Sequence, residues 1–337
     1  MKILKEVSLK SYNTFGIDVK AKYFVEIKSE AEIKEILTSE EYSKIPKLIL
    51  GGGSNILLTK DFEGLVFKIS IPGIKIIEEN DDSVLLEAGA GVVWHELVLY
   101  CIEKNYGGIE NLSLIPGLVG AAPVQNIGAY GQVLKEVFQS LNGFYIKGDF
   151  ASFTREDCKF GYRNSIFKNE LKDKFIITGV RLRLAKDPVI NLEYGALKSE
   201  IEKLGLNHIS VKEVSEVVCN IRKSKLPDPV EIGNAGSFFK NPEISEEKYN
   251  ELLKDYPQMA GHKMGNNRVK VAAGWLIEKC GWKGKRIGNT GAHTRQALVL
   301  VNYGGASGKE ILDLAKEIKD SVFEKFGVEL NEEVNIV

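Results

Sequence analysis

Apolar and polar positions change their period several times along the chain, and each change marks an element. Ser29-Glu30-Ala31-Glu32 followed by Ile33, Ile36 and Leu37 joins a capping box to an apolar face, which predicts a short helix. Lys47 to Leu50 reads as a strand, as do Ile56 to Leu58 and Leu65 to Ile69, so the glycines after Leu50 connect strand to strand. From Ile74 to Leu184 short strand-like runs recur (Ile74 to Ile77, Ser83 to Ala88, Val137 to Tyr145, Phe175 to Leu184) around one helix at Val93 to Glu103. That mixture predicts an α+β unit. Beyond Pro188 the pattern turns helical, at Val211 to Lys223, Ser245 to Lys254 and Val271 to Cys280, and a domain boundary is expected near residue 200. Ser307 and Glu310 form a second capping box, and Ile311, Leu314, Ala315, Ile318, Val322 and Phe326 make an apolar stripe that ends at Gly327. The final VELNEEVNIV reads as a strand, which puts Glu333 at an ordered end.

At 337 residues the chain is long enough for two or three cores. Its 45 Lys and Arg against 46 Asp and Glu leave no field to hold a nucleic acid or an anionic membrane. The N-terminal segment alternates charged and apolar residues without a signal-peptide core, and no apolar run reaches the length of a membrane span, so a soluble cytoplasmic protein is expected. Cys101, Cys158, Cys219 and Cys280 are more than fifty residues apart and form no CxxC or Cys/His cluster. His95, His208, His262 and His293 are scattered too, so no metal site is expected, and any redox chemistry needs a cofactor.

Three loops carry candidate chemistry. Gly51-Gly52-Gly53-Ser54-Asn55 follows a strand directly, and successive glycine N–H groups can converge on one anion such as a phosphate, although a plain tight turn has the same composition. It lacks the Lys-Ser/Thr of a Walker loop and the spacing of GxGxxG. Leu114 to Gly131, with Ile115, Pro116, Gly117, Gln125, Gly128 and Ala129, is long, apolar and rich in small residues, suited to pressing backbone against a flat ring. A pyrophosphate loop and a ring-binding loop together fit a dinucleotide, and FAD is the natural candidate. In Gly233-Asn234-Ala235-Gly236-Ser237-Phe238-Phe239-Lys240-Asn241-Pro242, Ser237 is either an exposed hydroxyl in a walled pocket or a buried turn serine. It is not a hydrolase elbow, since Ala235 and Phe239 stand where GxSxG requires glycine.

With Asn13-Thr14-Phe15-Gly16, GGGSN, IPGLVGAAPVQNIGAYG, GYRNSIFK, KLPDP, GNAGSFFKNP and AAGWLIE in this order, nearly the whole chain resembles the UDP-N-acetylenolpyruvoylglucosamine reductase family. The resemblance implies two α+β subdomains that hold noncovalent FAD in the manner of the vanillyl-alcohol-oxidase group, residues 1–71 and 72–200, and a C-terminal α+β substrate-binding domain, residues 201–337, whose last strand packs back towards the FAD part. It implies NADPH-dependent reduction of UDP-N-acetylglucosamine enolpyruvate to UDP-N-acetylmuramate, in peptidoglycan synthesis, by a monomer. By matching motifs, Arg163, Ser237 and Glu333 take the catalytic positions, with Glu332 as the neighbouring alternative to Glu333. Gly51, Gly52, Gly53, Ser54 and Asn55 take the pyrophosphate loop. Ile115, Pro116, Gly117, Gln125, Gly128, Ala129 and Arg222 take the other FAD positions, and Tyr194, Lys225, Asn241 and Gln296 the substrate positions. Tyr194 also marks the family's longer type. A second tyrosine of that type is replaced, by spacing, by His262, with Tyr256 the alternative.

The chemistry suits these residue types. Hydride added to the terminal vinyl carbon of an enolpyruvyl ether leaves charge that spreads into the neighbouring carboxylate. An arginine and a protonated glutamate aimed at the carboxylate oxygens would stabilise that charge. Ser237 would then protonate the other carbon. Two rival readings remain on the same fold, a non-catalytic UDP-sugar binding protein and a different FAD oxidoreductase. A covalent-flavin oxidase lacks support, since no histidine or cysteine occurs between residues 41 and 90.

Overall fold

The computed structural model describes residues 1–206 and 208–337. They divide into two compact units, Met1–Val7, Ala21–Gly52 and Phe62–Ser224 in the first and Ser8–Lys20, Gly53–Asp61 and Lys225–Val337 in the second.

The first unit is built on two sheets. Strands Leu4–Ser8, Lys20–Ile27, Phe62–Ile69 and Lys47–Leu50 lie side by side in that order, with Phe62–Ile69 parallel to both its neighbours. Parallel strands need a crossover, and the helix Glu30–Thr38 supplies the one from Lys20–Ile27 to Lys47–Leu50, opened by the capping box of Ser29 and Glu32. Its Ile33, Ile36 and Leu37 bury against Val25, Ile27, Leu65 and Phe67.

The second sheet is antiparallel, in the order Phe150–Thr154, Phe138–Tyr145, Phe175–Ala185, Ser83–Gly89, Ile74–Glu79. Successive side chains of a strand face opposite ways, and Phe175–Ala185 uses both faces: Ile176 joins the core of the first sheet, while Phe175 and Ile177 join a second core with Trp94, Leu97, Val98 and Cys101 of the helix Trp94–Glu103. That explains why this strand reads as a continuous apolar run. Helices Gly195–Glu202 and Val211–Lys225 pack Leu197 and Ile201 against Val214, Val217, Val218 and Ile221.

In the second unit, strands Gly233–Ser237, Val299–Asn302, Thr290–Ala292 and Arg286–Ile287 form an antiparallel sheet in that order, with the helix Gly308–Phe326 against it. A smaller sheet is ordered Glu243–Ser245, Arg268–Val271, Gly261–Gly265. The expected helices are present, as Glu246–Asp255 and Ala273–Lys279, but the strands between them break the expectation of a helical region. Segments such as Gly233–Ser237 are glycine-rich and lack period-two alternation, so they become strands through their partners and not through their own pattern.

The C-terminal segment departs from the continuous strand expected of it. Only Asn335–Ile336 is a strand, parallel to Ile56–Leu57, while Glu332 forms an isolated bridge with Phe239. The segment changes pairing partner between residues 333 and 335, and the ladder cannot run through that change. Among the described residues no helix is long and apolar enough to cross a membrane, and no cluster of His, Cys, Asp and Glu could hold a metal ion.

Candidate active site

In the first unit, the strand Lys47–Leu50 delivers Gly51 and Gly52 to the loop at 114–131. A Cβ on Gly52 would lie 3.1 Å from the Gly117 Cα, and one on Gly51 would lie 3.6 Å from the Ala121 Cβ. Gly52 therefore meets Gly117 backbone to backbone, closer than a side chain would comfortably allow, whereas a Cβ on Gly51 would make an ordinary contact. The apolar loop is fixed from behind: Gly117 O accepts from Trp94 N–H at 3.0 Å, and the N–H groups of Val119 and Gly120 donate to Val92 O and Ala90 O. Gly128 and Ala129 pair with Val133 and Gln132 in a small hairpin. Ile115 packs on the core behind, and Pro116 and Gln125 lie in the same loop.

Left-handed backbone concentrates here. Leu114, Asn126, Tyr130 and Arg163 have φ of 57°, 46°, 50° and 51°. Residues with side chains adopt this region rarely and hold it only where neighbours over-determine it. Leu114 is held by His95, whose Nδ1 accepts its N–H at 3.0 Å, and by Arg222, whose Nε donates to its carbonyl at 3.2 Å. Asn126 accepts from Lys135 N–H and donates to Gly161 O. Arg163 caps a tight turn in which Gly161 and Asn164 exchange backbone hydrogen bonds, and its Nη2 donates to Gly128 O at 2.7 Å. The candidate catalytic arginine is thus bonded to the candidate flavin loop.

Burial pushes the His95 pKa below the ordinary histidine value, helped by the positive charges of Arg222 and Lys223, so the ring stays a neutral acceptor for Leu114. Burial also lowers the pKa of Arg222, opposed by the Tyr130 phenol beside it. Tyr194, at the start of the helix Gly195–Glu202, sets its ring edge-on to Tyr130, with centroids 5.2 Å apart and planes at 80°.

The second unit holds the rest of the glycine loop. Gly53 has φ of 64°, and a Cβ there would stand 2.0 Å from Tyr12 O. Its carbonyl accepts from Thr14 N–H and Oγ1 at 3.0 and 3.3 Å. Asn13 closes the turn beneath, with Nδ2 donating to Leu9 O and Ile17 O and Oδ1 accepting from Ile17 N–H. Asn-Thr-Phe-Gly therefore backs the glycine loop, a purpose its sequence did not disclose. Ser54 follows Gly53, and next to it Asn55 ties the loop to the C-terminal segment. Its Nδ2 donates to Glu333 O at 3.3 Å, and its carbonyl accepts from the N–H and Nδ2 of Asn335 at 3.1 and 3.0 Å.

Ser237 ends the strand Gly233–Ser237, opposite Val299, after an irregularity containing Gly236 with φ of 69°. Phe238 and Phe239 are fully buried, whereas Ser237 is only half-buried, so it is not the interior turn serine that its spacing allowed. Glu333 N–H donates to Phe238 O at 2.8 Å, so its backbone meets the residue that follows Ser237. Glu332 instead commits its carboxylate to Lys319, 2.8 Å away.

Asn241 Oδ1 accepts from Ala273 N–H at 3.0 Å, and a Cβ on Gly274 would lie 2.9 Å from Gln296 Oε1, so both amides meet the first turn of Ala273–Lys279. Lys225 is exposed. His262 stands on the exposed strand Gly261–Gly265, while Tyr256 packs its ring on Trp275 and Phe326, 5.8 and 5.1 Å away. Sequence reasoning passed over Asn111 and Asn335, polar residues whose hydrogen bonds span segments far apart in the chain.

Comparison with known proteins adds to this geometry. Residues 228–337 match the family model described as UDP-N-acetylenolpyruvoylglucosamine reductase, C-terminal domain, and residues 21–148 match the model of an FAD binding domain. A relative from Flavobacterium johnsoniae with that reductase name is 51% identical over the whole of both chains. One from Pseudomonas aeruginosa is 47% identical over 100% of this chain and 99% of its own. The solved reductase of Thermus caldophilus is 24% identical with a TM-score of 0.70, covering 100% of this chain and 99% of that one, and shows the same α+β fold.

Proposed function

The chain belongs to the UDP-N-acetylenolpyruvoylglucosamine reductase family, and from that premise we propose that it reduces UDP-N-acetylglucosamine enolpyruvate to UDP-N-acetylmuramate with NADPH and bound FAD, a step in peptidoglycan precursor synthesis. The observation that supports the reading is the hydrogen bond from Glu333 N–H to Phe238 O at 2.8 Å, which brings the backbone of Glu333 to the residue that follows Ser237. It is consistent with a charge-stabilising carboxyl group and a proton-donating hydroxyl group serving one site.

The residues present fit FAD. The approach of Gly52 to Gly117 makes a cradle that any side chain would fill, and the left-handed glycine at 53 is the backbone conformation that anion-binding loops use. Gly51, Gly52, Gly53, Ser54 and Asn55 would hold the pyrophosphate, and Ile115, Pro116, Gly117, Gln125, Gly128, Ala129 and Arg222 the flavin side. With no histidine or cysteine between residues 41 and 90, attachment is noncovalent. When bound, FAD supplies the chemistry of accepting hydride from NADPH and yielding it to the enolpyruvyl group.

The protein's own residues manage charge and protons. In this reading the guanidinium of Arg163, held by Gly128 O, and the carboxylic acid of Glu333 each serve to stabilise the charge that develops at the substrate carboxylate. Ser237 gives its hydroxyl proton to the carbon next to the carboxylate. Tyr194, Lys225, Asn241 and Gln296 bind the sugar nucleotide, and His262 takes the flap position. The proposal includes the division into residues 1–71, 72–200 and 201–337, a cytoplasmic location and a monomeric state.

The test is direct. Protein purified with FAD should be yellow, release its flavin to the supernatant on acid precipitation, and convert the enolpyruvyl sugar with one NADPH per product, read by mass spectrometry. Oxidation of NADPH without formation of UDP-N-acetylmuramate would exclude the reading.

A further inference from the structure

Asn111 is fully buried in a short turn, Glu110–Leu112, and no catalytic or binding role described above uses it. Its Nδ2 donates to Tyr130 O at 2.8 Å and to Asn191 O at 2.9 Å. Two carbonyls fix the orientation of the amide, because the flipped side chain would set oxygen against oxygen. Asn111 Oδ1 is buried with no hydrogen-bond partner among the described residues.

The two carbonyls lie at either side of one aromatic contact. Tyr130 carries one of them and presents its ring to Tyr194; Asn191 carries the other, three residues before Tyr194. The chain from Pro188 to Tyr194 has no regular structure, and Val189 within it is 96% exposed. Apart from Asn111, this stretch is held by Asn191 Nδ2 donating to Gly131 O at 3.2 Å, by Asn191 Oδ1 accepting from Glu193 N–H, and by Ile190 and Leu192 against the helical core. Asn111 is the buried anchor of an otherwise superficial segment.

We propose that Asn111 is a positioning residue for the sugar nucleotide: it fixes the 188–194 segment to the Tyr130 loop, so that Tyr194 is already placed when substrate arrives. Ordering a segment before binding removes an entropic cost that the ligand would otherwise bear. The inference rests on the reading that Tyr194 touches the sugar nucleotide, and the experiment separates the two.

The FAD-loaded enzyme is compared with Asn111→Ser, Asn111→Asp, Tyr194→Ala and the double variant Asn111→Ser/Tyr194→Ala. Affinity for UDP-N-acetylmuramate is measured by calorimetry, KM for the enolpyruvyl sugar by steady-state kinetics, flavin reduction by stopped flow, and amide exchange over residues 189–195 by mass spectrometry. Asn111→Ser should weaken sugar binding roughly tenfold, the scale of two lost hydrogen bonds, with flavin reduction by NADPH unchanged and exchange in 189–195 accelerated. Asn111→Asp, which keeps the volume but sets oxygen against both carbonyls, should be worse; a packing role predicts the reverse order. The double variant should bind no more weakly than Tyr194→Ala, because both changes remove one interaction. Additive losses, or faster exchange with normal affinity in Asn111→Ser, would overturn the proposal. If Tyr194→Ala itself binds normally, the substrate role of Tyr194 fails, while the exchange data still report whether Asn111 holds the segment. Should the Asn111 variants not fold, the surface variant Asn191→Ala loses its bonds to Gly131 and Glu193 and should shift affinity and exchange in the same direction, by about threefold; no shift would overturn the proposal.

Discussion

Replacing Gly53 by alanine tests the account of the glycine loop more sharply than any change in a charged residue. Alanine in the left-handed region, where Gly53 sits with φ of 64°, costs about 1–2 kcal/mol. The new Cβ would lie 2.0 Å from Tyr12 O and 2.8 Å from the Asn13 Cα, against an ordinary separation of roughly 3.5 Å. The neighbour cannot yield cheaply, because Asn13 is locked by hydrogen bonds to Leu9 and Ile17. Gly53 must move instead, which breaks the bonds from Thr14 N–H and Oγ1 to its carbonyl at about 1 kcal/mol each. Together these place the loss near 3–4 kcal/mol, a large share of a typical domain's stability of about 5–15 kcal/mol. Urea unfolding would read that loss as a lower midpoint, and fluorescence titration would read weaker FAD binding. Gly51→Ala is the contrast, since its nearest neighbour, the Ala121 Cβ at 3.6 Å, is at ordinary contact distance. It should shift stability by no more than about 1 kcal/mol. A wild-type midpoint for Gly53→Ala, or equal damage from both variants, would refute the reasoning.

Ser237→Ala should stay yellow and accept electrons from NADPH at the normal rate, then stall when the enolpyruvyl sugar is added, since loss of a general acid costs about 10²–10⁴ in rate; near-normal single-turnover reoxidation would remove Ser237 from the mechanism. Lys225→Ala should raise KM for the sugar at least about tenfold without slowing flavin reduction, and equal loss in both half-reactions would make Lys225 structural. His95 should make the protein acid-sensitive. Its folded pKa is lowered, chiefly by burial, so as pH falls through about 6.5 the unfolded chain takes up a proton that the folded one refuses. The stability cost therefore appears below about 6.5, grows until the lowered folded pKa is passed, and is absent at higher pH. His293, lowered by burial and by Arg295, acts with the same sign, so His95→Gln should reduce but not abolish the fall in urea midpoint between pH 7.5 and 5.5. An unchanged fall would contradict the assignment.

Much of the scaffold was legible in the chain. The capping boxes at Ser29 and Ser307 and the stripe from Ile311 to Phe326 carry their information locally, in residues three or four apart, and both helices form where the pattern puts them. Ser83–Gly89, Phe138–Tyr145 and Phe175–Ala185 of the second sheet were legible because their apolar residues report burial directly, whereas the edge strand Phe150–Thr154, exposed at alternate positions, was not read. Gly233–Ser237 and Gly261–Gly265 were not, because glycine and polar residues carry no period and those strands exist only through ladders with distant partners.

The candidate site divides along the same line. Which residues could do the chemistry was written in the motifs around Arg163, Ser237 and Glu333. Motifs alone could not separate Glu333 from Glu332; in the structure the Glu332 carboxylate pairs with Lys319, and Glu333 N–H meets Phe238 O. Nor could they show that Asn13 and Thr14 support Gly53, that Gly128 O holds Arg163, or that Asn111 anchors the segment before Tyr194. Those relations join residues tens of positions apart. The sequence determined by itself the helices, the apolar strands and the residue types available for catalysis, because each depends on a residue and its near neighbours; only the tertiary structure decided which backbone groups meet across the chain, because hydrogen bonds between distant segments leave no periodic trace in either one.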